Sequence, residues 1–134
     1  MGPRLPCGVF TATLSVLVIE DDAGLRELYR SSLRTAGYSV TAVEDGVSAL
    51  HILEGHVPDV IVLDLMLPRL GGRDVHRELK SNPATSRVPI VVVTGTDARD
   101  LNPTDFIKVL RKPIHLDALV RAVDDAVRGF GRPT

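Results

Sequence analysis

Three short apolar runs constrain this chain most: Val16-Leu17-Val18-Ile19, Val60-Ile61-Val62-Leu63 and Ile90-Val91-Val92-Val93. All are rich in β-branched residues, and none alternates apolar with polar positions. A strand with one wet face alternates, whereas an unbroken run suits a strand covered on both faces. Strands of that kind belong to parallel sheets, whose crossover connections lay helices over the faces.

The segments between the runs carry the helical period. Leu25, Leu28, Tyr29, Leu33 and Ala36 recur at threes and fours among Arg26, Glu27, Arg30 and Arg34, which predicts an amphipathic helix. Asp22 is placed to cap it, and Gly37 to end it in the left-handed conformation. Tyr38 to Val43 reads as a strand, and Gly46 to Gly55 as a short helix carrying Val47, Leu50 and Leu53 inward. Pro58-Asp59 opens the next strand, which runs into Asp64. Pro68 and Gly71-Gly72 make a loop, and Arg73 to Lys80 a helix. Pro89 opens a strand that ends at Thr94-Gly95, and a weak strand around Ile107 to Leu110 runs into Arg111-Lys112-Pro113. A last helix, about His115 to Phe130, places Leu116, Leu119, Val120, Val123 and Val127 on one stripe. Strands alternating with helices at this spacing predict an α/β domain with a doubly wound, five-stranded parallel sheet and helices on both faces. The expected boundaries are a flexible extension over 1–13, the domain over 14–130 and a tail over 131–134.

Composition excludes several classes. With 16 basic and 17 acidic residues the net charge is −1, and the basic residues form no run, so direct nucleic-acid binding is not expected. Cys7 is the only cysteine, which leaves no internal disulfide and no cysteine-based metal knuckle. Residues 1–13 lack a basic start followed by an apolar block of about 7–15 residues, so they do not read as a signal peptide. No window approaches the roughly 20 apolar residues of a membrane span. A soluble, cytoplasmic protein of one domain is expected. His51, His56, His76 and His115 stand apart from one another and from Cys7, so surface or helix positions are expected for them.

Ligands of a doubly wound sheet bind beyond the carboxyl ends of its strands. There the sequence places Glu20 and Asp21, Asp64, Thr94 and Lys112, each after a different strand. Clustered carboxylates repel and need compensation, which a hard divalent cation such as Mg2+ supplies through oxygen ligands. A lysine adds a charge for a phosphoryl oxygen, and a threonine hydroxyl can donate to another. The set suits phosphoryl transfer onto a carboxylate nucleophile.

The segments VLVIEDD, DVIVLDLMLP, VPIVVVTG and LRKPI, in this order and separation, resemble the response-regulator receiver family. The likeness runs from about Ser15 to Phe130, with Gly72 eight after Asp64 where the family has glycine. It implies a flavodoxin-like sheet of order 2-1-3-4-5 and a phosphoryl group accepted on Asp64. It also implies Mg2+ held by Asp21, Asp64 and the backbone carbonyl of Met66, with Glu20 acting mostly through water. Thr94 would be the switch hydroxyl, Lys112 the phosphoryl contact, and Lys112-Pro113 a cis bond. The implied donor is a phosphohistidine on a sensor histidine kinase or a histidine phosphotransfer protein. Output would pass to a downstream protein by contact, from a monomer or weak homodimer with no enzymatic role beyond slow self-dephosphorylation.

Two departures bear on output. Thr94 and Lys112 are 18 positions apart, about one helical turn shorter than is usual, so the fourth helix of the family is expected shortened or irregular. Val109 stands where an aromatic residue usually rotates, and Gly95 replaces a common alanine. A signal is then expected to leave by backbone movement, by the Gly95 to Asn102 loop or from another face. The alternative is an interaction module that keeps the fold without phosphorylation. An aspartate-nucleophile phosphatase of the haloacid dehalogenase type needs a second aspartate where Met66 stands, and a dinucleotide site needs a GxGxxG that does not follow the first strand.

Overall fold

The computed structural model describes residues 13–95, 98–99, 101 and 108–129. In chain order the elements are β1 (Ser15–Ile19), α1 (Ala23–Thr35), β2 (Ser39–Val43), α2 (Gly46–Gly55), β3 (Val60–Asp64), α3 (Gly72–Ser81), β4 (Ile90–Thr94), β5 (Lys108–Arg111) and α4 (Leu116–Gly129). The strands form one parallel sheet of order β2-β1-β3-β4-β5, as expected. The expected 1–13 extension lies outside the described residues apart from Thr13, and so do the tail, Ile107 and Phe130.

The unbroken runs have a direct structural cause. Val16, Val18, Val60, Val62, Val91 and Val93 face one layer, where Tyr29 and Leu33 of α1 meet Leu119 and Val123 of α4. Their neighbours Leu17, Ile19, Ile61, Leu63, Ile90 and Val92 face the other, against Ala49 and Leu53 of α2 and Val75 and Leu79 of α3. Every residue of β3 and β4 is buried. A polar residue at the apolar positions of either layer would lose water without gaining a partner. Edge strand β2, by contrast, has only exposed and half-buried positions.

Local signals set the helix ends. The Asp22 carboxylate accepts from the Leu25 amide at 2.8 Å, and Gly37 closes α1 at φ 105°. Asp45 caps α2 through the Ser48 amide at 2.7 Å. Two expectations need correction. Val47 is 50% exposed rather than inward, because Gly46, Ala49 and Leu53 are the buried stripe and Val47 sits more than a quarter of a turn to its side. Leu28 is likewise 51% exposed beside the buried Tyr29 and Leu33, and Ala36 is an exposed C-cap.

Between β4 and β5 most residues lie outside the described set, including most of the segment expected to hold a shortened fourth helix. Its described residues Gly95, Ala98, Arg99 and Leu101 are not helical. Val109 is half-buried on the α2–α3 side of the sheet. Among the described residues no helix is long and apolar enough to cross a membrane.

Helix α3 starts hard against the end of β3. A Cβ on Gly72 would lie 2.3 Å from the Leu65 Cα and 2.4 Å from the Asp64 carbonyl oxygen, distances only glycine avoids. Gly55 has open space around it. Gly72→Ala is therefore expected to cost about 1–3 kcal/mol in urea unfolding by overpacking against backbone. Gly55→Ala should be neutral or slightly stabilising in the same measurement.

Candidate functional site

The chain reverses winding direction between β1, which pairs with β2 on one side, and β3 on the other, so the carboxyl ends of β1 and β3 border a crevice. Glu20 directly follows β1, Asp64 is the last residue of β3, Thr94 the last of β4, and Lys112 directly follows β5. The Lys112 amide donates to the Thr94 carbonyl at 2.9 Å, extending the β4–β5 ladder by one step and setting the lysine beside Thr94. Asp64 pairs in register with Val93, one residue before Thr94.

Glu20 and Asp64 are 1% and 2% exposed. The Lys112 ammonium reaches across the crevice to both, 3.0 Å from Glu20 Oε1 and 3.1 Å from Asp64 Oδ2. It donates to Asp64 Oδ2 and, at 3.3 Å, to Glu20 Oε2. The other oxygen of Asp64 accepts from the Met66 amide at 2.9 Å. Asp21 is exposed, yet a carboxylate oxygen from each of Glu20, Asp21 and Asp64 lies within 4.8 Å of the others. Thr94 is fully buried and the Met66 side chain is exposed at the rim. Glu20, Asp21, Asp64, Thr94 and Lys112 thus gather at one end of the sheet, where the Met66 amide is bonded to Asp64.

The electrostatics show a site short of positive charge. Burial raises the Glu20 carboxyl to about 7, and the Asp64 charge adds to this, against the Asp22 amide and Lys112, which pull it down. Burial also works against the Lys112 charge, but its hydrogen bonds to Glu20 and Asp64 prevail and hold it above the ordinary lysine range. Glu20 Oε1 is buried with no aligned hydrogen-bond donor among the described residues. Three oxygen-only side chains, one of them with a buried oxygen that takes no aligned hydrogen bond, suit a hard divalent cation such as Mg2+.

Three supporting residues were not singled out from the sequence. Arg26 Nη1 donates to the carbonyls of Glu20 and Asp21 at 3.0 and 3.3 Å, strapping the turn that carries both acids. Its place four after the capping Asp22 was the available signal, since that spacing folds it back over the turn. Tyr29 is buried near the acids with no hydroxyl partner among the described residues, and burial lifts its phenol to about 12. Arg69 forms an ion pair with the buried Asp45. No sequence signal marks that pair.

A parallel sheet of this order, with acids and a lysine converging beyond its carboxyl ends, defines a signalling receiver domain. The chain belongs to the response regulator receiver domain family, whose model matches residues 16–124. Members of that family are signalling regulators rather than classical enzymes. The chain is similar to response regulator MprA of Mycobacterium sp. (strain KMS), 45% identical over 112 residues that cover 78% of this chain and 46% of that protein. MprA of Mycobacterium avium (strain 104) is 44% identical over 114 residues, covering 80% and 48%. The chain thus spans about half the length of these curated relatives. Among solved structures, the signal receiver domain of a putative LuxO repressor protein from Vibrio parahaemolyticus matches with TM-score 0.79 at 28% identity, covering 87% of this chain and 92% of that one. The receiver domain of sensor histidine kinase PA1611 from Pseudomonas aeruginosa PAO1 matches with TM-score 0.78 at 28% identity, covering 87% and 98%. A magnesium ion is coordinated in the active-site cleft of that domain.

The raised Glu20 pKa has a consequence for stability. A carboxyl that holds its proton more tightly folded than unfolded stabilises the fold below the ordinary value of 4.5, and that contribution is lost as pH rises through about 7. Urea midpoints of the metal-free protein should therefore fall between those pH values. Glu20→Gln should flatten this dependence, and a slope unchanged by the substitution would refute the assignment to Glu20.

Proposed function

We propose that the chain is a phosphorylation-dependent switch that accepts a phosphoryl group on Asp64 from the phosphohistidine of a sensor histidine kinase or a histidine phosphotransfer protein. The observation that carries this reading is the Lys112 ammonium bridging the buried Glu20 and Asp64 within 3.1 Å, with Asp21 alongside. The receiver unit is assigned to residues 14–130, acting in the cytoplasm.

In the transfer, an Asp64 carboxylate oxygen attacks phosphorus. The O–P bond forms as the N–P bond to the donor imidazole breaks, and the imidazole leaves with its electron pair and takes up a proton. The Met66 amide holds Asp64 Oδ1, which leaves Oδ2 on the Lys112 side as the reacting oxygen. The Lys112 ammonium neutralises the carboxylate before transfer and meets the phosphoryl oxygens after it. The Thr94 hydroxyl, at the neighbouring strand end, donates to another of those oxygens. Mg2+, held by Glu20, Asp21, Asp64 and the Met66 carbonyl, would supply further compensating charge. The family resemblance and the magnesium in the PA1611 domain support this assignment.

Output then leaves by protein contact. Val109 has no ring to rotate, so movement starts from the Thr94 hydroxyl and the β4 backbone that Lys112 grips at the Thr94 carbonyl. Incubation with acetyl phosphate and Mg2+ should add one phosphoryl mass to the parent by intact mass spectrometry. Asp64→Asn and EDTA should each abolish the addition. Equal uptake by Asp64→Asn would remove Asp64 as acceptor.

A further inference from the structure

The loop between β3 and α3 carries a feature that the phosphoacceptor reading leaves unused. Arg69 adopts φ 65°, the left-handed conformation that suits glycine and strains most other side chains. A glycine there would relieve the backbone, and the arginine side chain that stands there instead reaches outside the loop. Its guanidinium pairs with the carboxylate of Asp45, a residue only 2% exposed that already caps α2 through the Ser48 amide. The next residues along each segment meet as well. A Cβ on Gly46 would lie 2.6 Å from the Leu70 carbonyl oxygen, so the loop backbone rests directly on the first turn of α2.

At its other end the loop is fixed to the site. The Met66 amide donates to Asp64 Oδ1 at 2.9 Å, and the Gly72 amide donates to the Leu65 carbonyl at 3.1 Å. The five residues from Met66 to Leu70 are thus held at the acceptor end by these amides and at the far end by α2.

We propose that the Asp45–Arg69 ion pair is a latch through which the start of α2 sets the β3–α3 loop, and with it the cation affinity of the Glu20, Asp21, Asp64 and Met66 site. Asp45 and Arg69 are positioning residues: neither reaches the acidic cluster, and both act through the backbone between Met66 and Gly71. The proposal rests on the reading of that cluster as the cation site.

Two variants break the latch without a cavity in the core. Arg69→Gly removes the guanidinium but relieves the positive φ, so the stability lost with the ion pair is offset in part by the relaxed backbone. Asp45→Asn keeps a good N-cap for α2 and weakens the pair. The probe is Mn2+ alone, with free ion read by electron paramagnetic resonance. Both variants should bind it roughly tenfold more weakly, and the double variant no more weakly than the weaker single one. In metal-free protein, amide exchange across residues 65–72 should be faster in both. Arg69→Lys, which keeps the charge, should recover part of the affinity. Affinity within about twofold of the parent in either single variant, or unchanged loop exchange, would overturn the latch. A parent that binds no Mn2+ overturns it too. Phosphoryl uptake by the parent from acetyl phosphate is measured alongside. If the parent binds Mn2+ and the variants loosen, but no phosphoryl group is taken up, the latch stands and the proposed function falls.

Discussion

Two nearly fully buried carboxylates, Glu20 and Asp64, share one ammonium, that of Lys112. An ion held away from water costs several kcal/mol, so neither acid would remain there without a partner at this distance. The lysine reaches them because β5 lies against β4 in parallel register and its chain continues past the sheet, tied by the Thr94 carbonyl. The acids are where they are because β1 and β3 are neighbours and end level, with Ile19 opposite Leu63. The sheet order is thus a requirement of the site, since moving any of these strands by one place would strand a charge. Three acids against one lysine also leave the crevice short of positive charge, and burial, with the Asp64 charge adding to it, raises the Glu20 pKa.

Most of this architecture was legible in the chain because it depends on residue type at fixed spacing. A run such as Val60 to Leu63, apolar at every position, is explained only by cover on both faces. Asp22 and Gly37 carry local backbone preferences strong enough to survive tertiary packing, and both helix ends fell where expected. The convergence of Glu20, Asp64 and Lys112 followed from the rule for strand ends rather than from any one motif.

What the sequence hid was orientation and long-range pairing. Val47 and Leu28 obey a helical period, yet a helix lying on a sheet buries only a narrow stripe, and the adjacent residues Gly46 and Tyr29 take that face. Apolar character says nothing about which of two neighbouring side chains wins. Arg69 was unreadable for a different reason. Its left-handed backbone opposes ordinary arginine preference, and the partner of its guanidinium, Asp45, lies 24 residues earlier. The Arg26 strap over the Glu20 and Asp21 carbonyls is local and was within reach of spacing arguments. Gly72 was marked by resemblance alone, and its reason is the Asp64 carbonyl that any Cβ would strike.

The central claim is that Asp64, and no other acid in the cluster, becomes the acyl phosphate. Borohydride reduces an acyl phosphate of aspartate to homoserine, which marks the acceptor permanently in the chain. Peptide mass spectrometry after phosphorylation with Mg2+ and borohydride treatment therefore tests the claim directly. The account predicts homoserine at position 64 alone. Homoserine at position 21, or a reduced glutamyl phosphate at position 20, would contradict it.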